Sequence, residues 1–189
     1  MPIHLIFEGA ELSGKSFLMS QIYPILESKN FTSDNFLNGC FWINSDIGIF
    51  GTQYGTKVIQ EYIKIAEILK GKPILFEKFH LSDMVYKEQS GQEVIDYSAV
   101  EERLKKLGFK IVLTVFEENP ALIKQRLKDR IKLYPHYRRI AKPPEYYIKQ
   151  QRLYLDLIKK SSLPYKIVKL QSFSEDETAE LFKWLSIDK

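Results

Sequence analysis

Gly9-Ala10-Glu11-Leu12-Ser13-Gly14-Lys15-Ser16 matches the spacing G-x-x-x-x-G-K-[ST] without a gap. Each residue type in that string has a physical reason. Gly9 and Gly14 allow a turn whose amides point inward, where a Cβ would obstruct an approaching phosphate. A helix starting near Lys15 adds its positive dipole end. The Lys15 ammonium is expected to reach the β- and γ-phosphates, and the Ser16 hydroxyl to ligate Mg²⁺. Gly9, Ala10, Glu11, Leu12, Ser13, Gly14, Lys15, Ser16 and Phe17 are therefore the candidate nucleotide-phosphate cradle. A chance match in a chain of this size arises on the order of once in a hundred.

Outward from the cradle, β-rich runs alternate with helical stretches, the pattern of a parallel α/β sheet. Ile3 to Phe7 reads as a buried strand feeding the turn, and Lys15 to Glu27 as the helix leaving it. Cys40–Asn44 and Pro73–Glu77 are further strands. Val58, Tyr62, Ile65, Ala66 and Leu69 recur at helical spacing before Gly71 and Pro73. Val100, Leu104 and Leu107 mark a helix closed by Gly108, and Phe109 to Phe116 is the strongest strand. Asn119-Pro120 supplies an N-cap and a first-turn proline for a helix to about Ile131. Residues 132–144 read as a loop or lid. A helix from Glu145 to Ser161, a strand from Tyr165 to Leu170 and a helix opened by Ser174 with Glu177 follow. The expected architecture is a three-layer α/β/α domain over residues 1–189, with a mostly parallel five-stranded sheet.

Composition narrows the class. A chain of 189 residues with 44% hydrophobic and 28% charged content is long enough to bury a core. No apolar run approaches the roughly 20 residues of a membrane span. The start reads as a strand rather than a secretory leader, and the single Cys40 excludes an internal disulfide. The expected compartment is the cytoplasm. A net charge of +4 is too mild to choose between a nucleotide and a nucleic acid as partner. A homodimer is left open.

Phe7-Glu8-Gly9-Ala10-Glu11, Glu77-Lys78-Phe79-His80-Leu81-Ser82, and Asn119-Pro120 through Arg126 and Arg130 together resemble the thymidylate kinase and deoxynucleoside kinase group. The resemblance spans nearly the whole chain, although the phosphate loop is its one specific motif. It implies ATP as donor, Mg²⁺ as cofactor and a small nucleoside or nucleotide as acceptor. Lys78 stands where that group has arginine, and lysine cannot clamp a phosphate bidentately. The segment between Asn44 and Lys57 holds no acceptor-binding arginine motif.

Glu77 ends a strand beside the cradle, where an acid holds Mg²⁺ or its water; the bland alternative is a strand-end carboxylate paired to a lysine. The resemblance adds a base role for Glu77 toward the acceptor hydroxyl, and a sugar-hydroxyl contact for Glu11. Lys78 and Phe79 complete the expected acceptor side, Phe79 being the stacking candidate among Phe36, Phe41, Trp42, Tyr54, Tyr86 and Tyr97. Arg126 and Arg130, four apart, share a helix face. They are either a solvated basic face or lid cations that stabilise a transferring phosphoryl group. His4, His80 and His136 show no metal-ligand spacing.

A regulatory GTPase is excluded because neither N-K-x-D nor D-x-x-G occurs. Two rivals remain: a kinase acting on a polynucleotide, and an ATP-binding module without chemistry. The complete set of Lys15, Ser16 and Glu77 argues against the second.

Overall fold

Five strands pair in parallel in the order β2-β3-β1-β4-β5: β1 (His4–Glu8), β2 (Phe41–Asn44), β3 (Ile74–Glu77), β4 (Phe109–Val115) and β5 (Tyr165–Lys169). The structure, a computed structural model, describes residues 2–33, 39–172, 174 and 176–187. The stacking candidate Phe36 lies outside them. The central strand β1 is buried along its whole length and β4 nearly so, because helices cover both faces of the sheet. The edge strands β2 and β5 are only partly buried, so their apolar residues are mixed with polar ones.

Helix α1 (Lys15–Asn30) packs Leu18, Met19, Ile22 and Leu26 on one face of the sheet, beside Leu181 and Phe182 of α7 (Asp176–Leu185). The opposite face carries Ile59, Ile63 and Ala66 of α2 (Gly55–Leu69), Val100 and Leu104 of α4 (Ser98–Lys106), and Tyr147, Tyr154 and Ile158 of α6 (Pro144–Ile158). This is the expected three-layer arrangement, with a sheet that is wholly parallel. Among the described residues no helix is long and apolar enough to cross a membrane.

Helix α5 (Pro120–Leu133) starts as its signals demand: the Asn119 side chain accepts from the Ala121 and Leu122 amides at 2.9 and 3.4 Å, with Pro120 in the first turn. At α7 the Glu177 carboxylate accepts from the amides of Gln171, Ser172 and Ser174 at 2.7, 3.0 and 3.2 Å. Glu177 thus gives the reach-back half of the expected capping box.

Two elements depart from the sequence reading. Helix α3 (His80–Gln89) has no counterpart in the sequence reading, although Leu81, Met84 and Val85 recur at helical spacing, and its start is organised from another strand. The Glu8 carboxylate, at the end of β1, accepts from the amides of Phe79, Leu81 and Ser82 at 2.9, 3.1 and 3.3 Å. The stretch 132–144 is more ordered than a loop. Helix α5 runs to Leu133, a 3₁₀ turn spans Pro135–Arg139, and α6 begins at Pro144. Buried Tyr137 pins this turn to the body of the fold.

Candidate functional site

β1 and β3 are neighbours whose outgoing connections leave toward opposite faces of the sheet, α1 to one and α3 to the other. Open α/β sheets bind ligands in such a crevice, at the carboxyl ends of the strands. There an open cavity of about 400 Å³ is lined by Glu11, Lys15, Ser16, Glu77, Lys78 and Arg130, among others.

The loop after β1 has the shape its glycines suggest. Leu12 and Gly14 take left-handed backbone (φ 66° and 91°), turning successive amides inward. At Gly9 (φ 140°) a Cβ would sit 2.4 Å from the Thr114 carbonyl oxygen, so only glycine fits there. The loop is also tied to its surroundings: the Ser13 hydroxyl lies 2.6 Å from that of Thr114, and the Glu11 amide donates to Gln150 Oε1 at 2.8 Å.

Lys15 Nζ donates to the carbonyls of Gly9 and Ala10 at 2.8 and 2.9 Å. It is 6% exposed. Burial, aided by repulsion from Lys78, pushes its pKa down to about 8, against the attraction of Glu11, Glu77 and Glu8. Above pH 8, therefore, the free loop holds a neutral amine that would have to take up a proton to pair with a phosphate. The expected result is an ATP affinity that is flat below this point and falls by up to about tenfold per pH unit above it. Titration calorimetry across that range, in buffers of differing ionisation enthalpy, reads both the slope and the proton uptake. A dissociation constant unchanged to about pH 9.5 would contradict it.

Ser16 and Glu77 meet at the mouth of the loop, the Ser16 hydroxyl donating to Glu77 Oε1 at 2.6 Å. Trp42 Nε1 approaches the other carboxylate oxygen at 3.4 Å. A hydroxyl and a carboxylate side by side are hard oxygen donors that suit Mg²⁺ shared with a phosphate chain. Among the described residues no group of three or more His, Cys, Asp or Glu side chains is arranged to hold a metal ion alone.

Across the cavity stands a triad of charges. Lys78 Nζ lies 2.7 Å from Glu11 Oε1 and 2.7 Å from Asp46 Oδ2. The Lys78 backbone is left-handed (φ 63°), a strain of about 1 kcal/mol for a side-chain-bearing residue. Its amide donates to the Phe7 carbonyl at 2.9 Å, and its carbonyl accepts from the Ser45 hydroxyl, which holds the turn in place. Burial alone would raise the Glu11 pKa, but Lys78 first, then Lys15 and Arg130, carry it down to about 2. The same two carboxylates raise the Lys78 pKa against the opposing effect of its burial. The Tyr86 ring lies under Lys78 at 5.4 Å, and its hydroxyl donates to Glu11 at 3.3 Å.

The expected site residues fall into two groups. Glu11, Leu12, Gly14, Lys15, Ser16, Phe17, Glu77, Lys78 and Arg130 all line the cavity. Phe79 does not: it is fully buried and stacked on Phe76 with ring centroids 4.7 Å apart, because its amide caps α3 and turns the ring inward. Its side chain is core, which corrects the stacking role expected for it. Arg126 reaches the cavity wall, yet its guanidinium donates to the carbonyls of Leu12, Leu170 and Gln171 at 2.9, 2.6 and 2.9 Å. It ties the phosphate loop to the end of β5, whereas Arg130 lies 4.9 and 5.4 Å over the rings of Tyr134 and Tyr137. The sequence reading missed Asp46 and did not single out Tyr86. A carboxylate two residues past the end of β2 was the available signal for the first.

Neither a family model nor a curated protein matches the sequence. Solved structures do match by shape. The YorR protein of Bacillus subtilis, determined in complex with phosphorylated GDP, superposes with a TM-score of 0.66 at 18% identity, over 97% of this chain and 95% of that one. Deoxyadenosine kinase from M. mycoides, with dCMP and a flexible dCDP bound, gives a TM-score of 0.54 at 14% identity, over 98% of this chain and 100% of that one. The same enzyme with dATP bound gives 0.52 at 14% identity, with the same coverage. At such identities shape speaks for architecture, and this chain has the α/β fold of the P-loop nucleoside and nucleotide kinases.

Proposed function

We propose that this protein transfers the γ-phosphoryl group of ATP, with Mg²⁺, to a hydroxyl of a small nucleoside-like acceptor. The carrying observation is that one cavity holds the phosphate loop on one side and the Lys78–Glu11–Asp46 triad on the other. In this reading the amides of the loop and Lys15 hold the donor phosphates, and Arg130 approaches from α5. Ser16 and Glu77 would hold the Mg²⁺, which when bound neutralises charge on the phosphate chain. The residues around 132–144 would act as the lid.

The triad argues for a neutral hydroxyl acceptor over a phosphorylated one. Lys78 already faces two carboxylates, so the three groups together carry a net charge of −1. A monophosphate dianion brought there would meet repulsion from the two carboxylates, and in this reading the neighbouring cations Lys15 and Arg130 serve the donor phosphates. A sugar hydroxyl, by contrast, can donate to Asp46 or Glu11. As the acceptor oxygen bonds to the γ-phosphorus, the bond from phosphorus to the β,γ-bridging oxygen breaks and ADP leaves. The hydroxyl proton passes to Asp46 and then to solvent.

Phosphoryl transfer from ATP and Mg²⁺ should be screened against nucleosides, nucleoside monophosphates and oligonucleotides. Nucleosides are the expected acceptors, and transfer to oligonucleotides alone would overturn the proposal. Asp46→Asn should lower kcat about 100-fold with little change in KM for ATP, since it removes a proton acceptor and leaves the cradle intact.

A further inference from the structure

The amino-terminal edge of the sheet, remote from the phosphate loop, carries a second open cavity of about 450 Å³. Four different elements send a basic side chain to it. His4 opens β1, Lys70 caps the end of α2, Lys106 ends α4 and Lys110 lies on β4. Among the described residues no carboxylate lines the cavity, and none of the three lysines is in an ion pair. His4 to Glu8 is four steps along β1, or about 13 Å, so this site is separate from the cradle.

Helix dipoles explain part of the charge. Lys70 and Lys106 sit at the carboxyl ends of α2 and α4, where a cation is favourable in any case. That account covers neither Lys110 on a strand, with its ammonium 5.1 Å over the Trp184 ring, nor the imidazole between them. His4 is 3% exposed, stacked on Phe109 with centroids 5.0 Å apart, and hydrogen-bonded to the Lys70 backbone. Its Nδ1 has no hydrogen-bond partner. A buried polar atom without a partner costs about 1–3 kcal/mol unless something arrives to satisfy it.

We propose that this cavity is a second anion site, which takes the phosphate or diphosphate group of a small phosphorylated compound. The lysines supply the field. Lys70, Lys106 and Lys110 line the same cavity as His4, whose ring stacks on Phe109. Burial lowers the His4 pKa in the free protein, against the smaller raising effect of its hydrogen bond to the Lys70 backbone, so protonation is opposed until an anion enters. With a phosphate oxygen present the ring takes up a proton, and Nδ1–H becomes a donor to it. Binding at this site therefore weakens as pH rises.

The test uses full-length Lys15→Ala protein, so that the phosphate loop contributes little. Its His4 imidazole nitrogens are followed by NMR during titration with inorganic pyrophosphate and, in a parallel arm, with ADP. The expected result is a saturable shift of His4 Nδ1 toward a protonated nitrogen in at least one arm, and the arm that saturates first identifies free or esterified phosphate as the source. Combined Lys70→Glu and Lys106→Glu should raise the half-saturation concentration at least about tenfold. Should that variant fold poorly, judged by thermal melting, Lys106→Gln alone should still weaken binding measurably. A His4 resonance that stays still in both arms to about 10 mM, or half-saturation indifferent to the lysine changes in a folded variant, overturns the proposal.

Discussion

Lys15→Ala is expected to lower kcat/KM for ATP at least about a thousandfold, the scale set by removing a cation that meets transferring phosphate charge. The geometry explains why the loss should be so large. Lys15 is buried and its ammonium is held by two carbonyls of the loop itself, so it is already positioned before nucleotide arrives. Stability should change little, because the lost hydrogen bonds are worth about 1 kcal/mol each and an expensive buried cation leaves with them. The melting temperature therefore serves as the control for folding. Lys15→Arg separates charge from shape: the cation is kept, but a planar guanidinium cannot fill a space built for a compact ammonium. It too should remain severely impaired. ATP affinity and turnover both surviving in Lys15→Ala would remove the basis for reading this loop as a phosphate cradle.

The phosphate loop was legible because its determinants are local. Eight consecutive residues encode the glycine turns, the ammonium and the hydroxyl, and the strand before and helix after them follow from short-range patterns. The sheet was legible for the same reason, as in the apolar run that became β4 and the Asn119-Pro120 start of α5. Helix α3 was not, because its cap comes from Glu8, more than seventy positions earlier in the chain. No property of the segment His80 to Gln89 announces a partner that only the pairing of β1 with β3 brings near.

The cavity wall opposite the loop was opaque on similar grounds. Phe79 reads as an aromatic at a strand end, and its inward turn is decided by the capping of α3. Arg126 and Arg130 look equivalent at a spacing of four, yet tertiary structure gives Arg126 three backbone carbonyls and leaves Arg130 facing the cavity. Asp46 becomes meaningful only once β2 lies beside β3 and Lys78 reaches across. The glycine turn and its lysine are thus written in a local motif, whereas the pocket opposite is written in long-range contacts.

Ser16→Ala and Glu77→Gln, combined in a double-mutant cycle, test whether these two oxygens act as one metal-binding unit. Glu77→Gln should lower kcat/KM about a thousandfold, equivalent to about 4.1 kcal/mol of transition-state stabilisation, and Ser16→Ala about 100-fold, or about 2.7 kcal/mol. Independent roles would multiply to a loss of about 10⁵ in the double variant. The 2.6 Å contact between Ser16 Oγ and Glu77 Oε1 implies otherwise, since removing either partner disturbs the same cation site. The double variant should be only about as impaired as Glu77→Gln, leaving a coupling near 2.7 kcal/mol. Raising Mg²⁺ should recover part of the Ser16→Ala loss, because the carboxylate remains, and much less of the Glu77→Gln loss. A strictly multiplicative double variant, indifferent to Mg²⁺ concentration, would show that Glu77 acts elsewhere in the reaction and that Ser16 holds no metal with it.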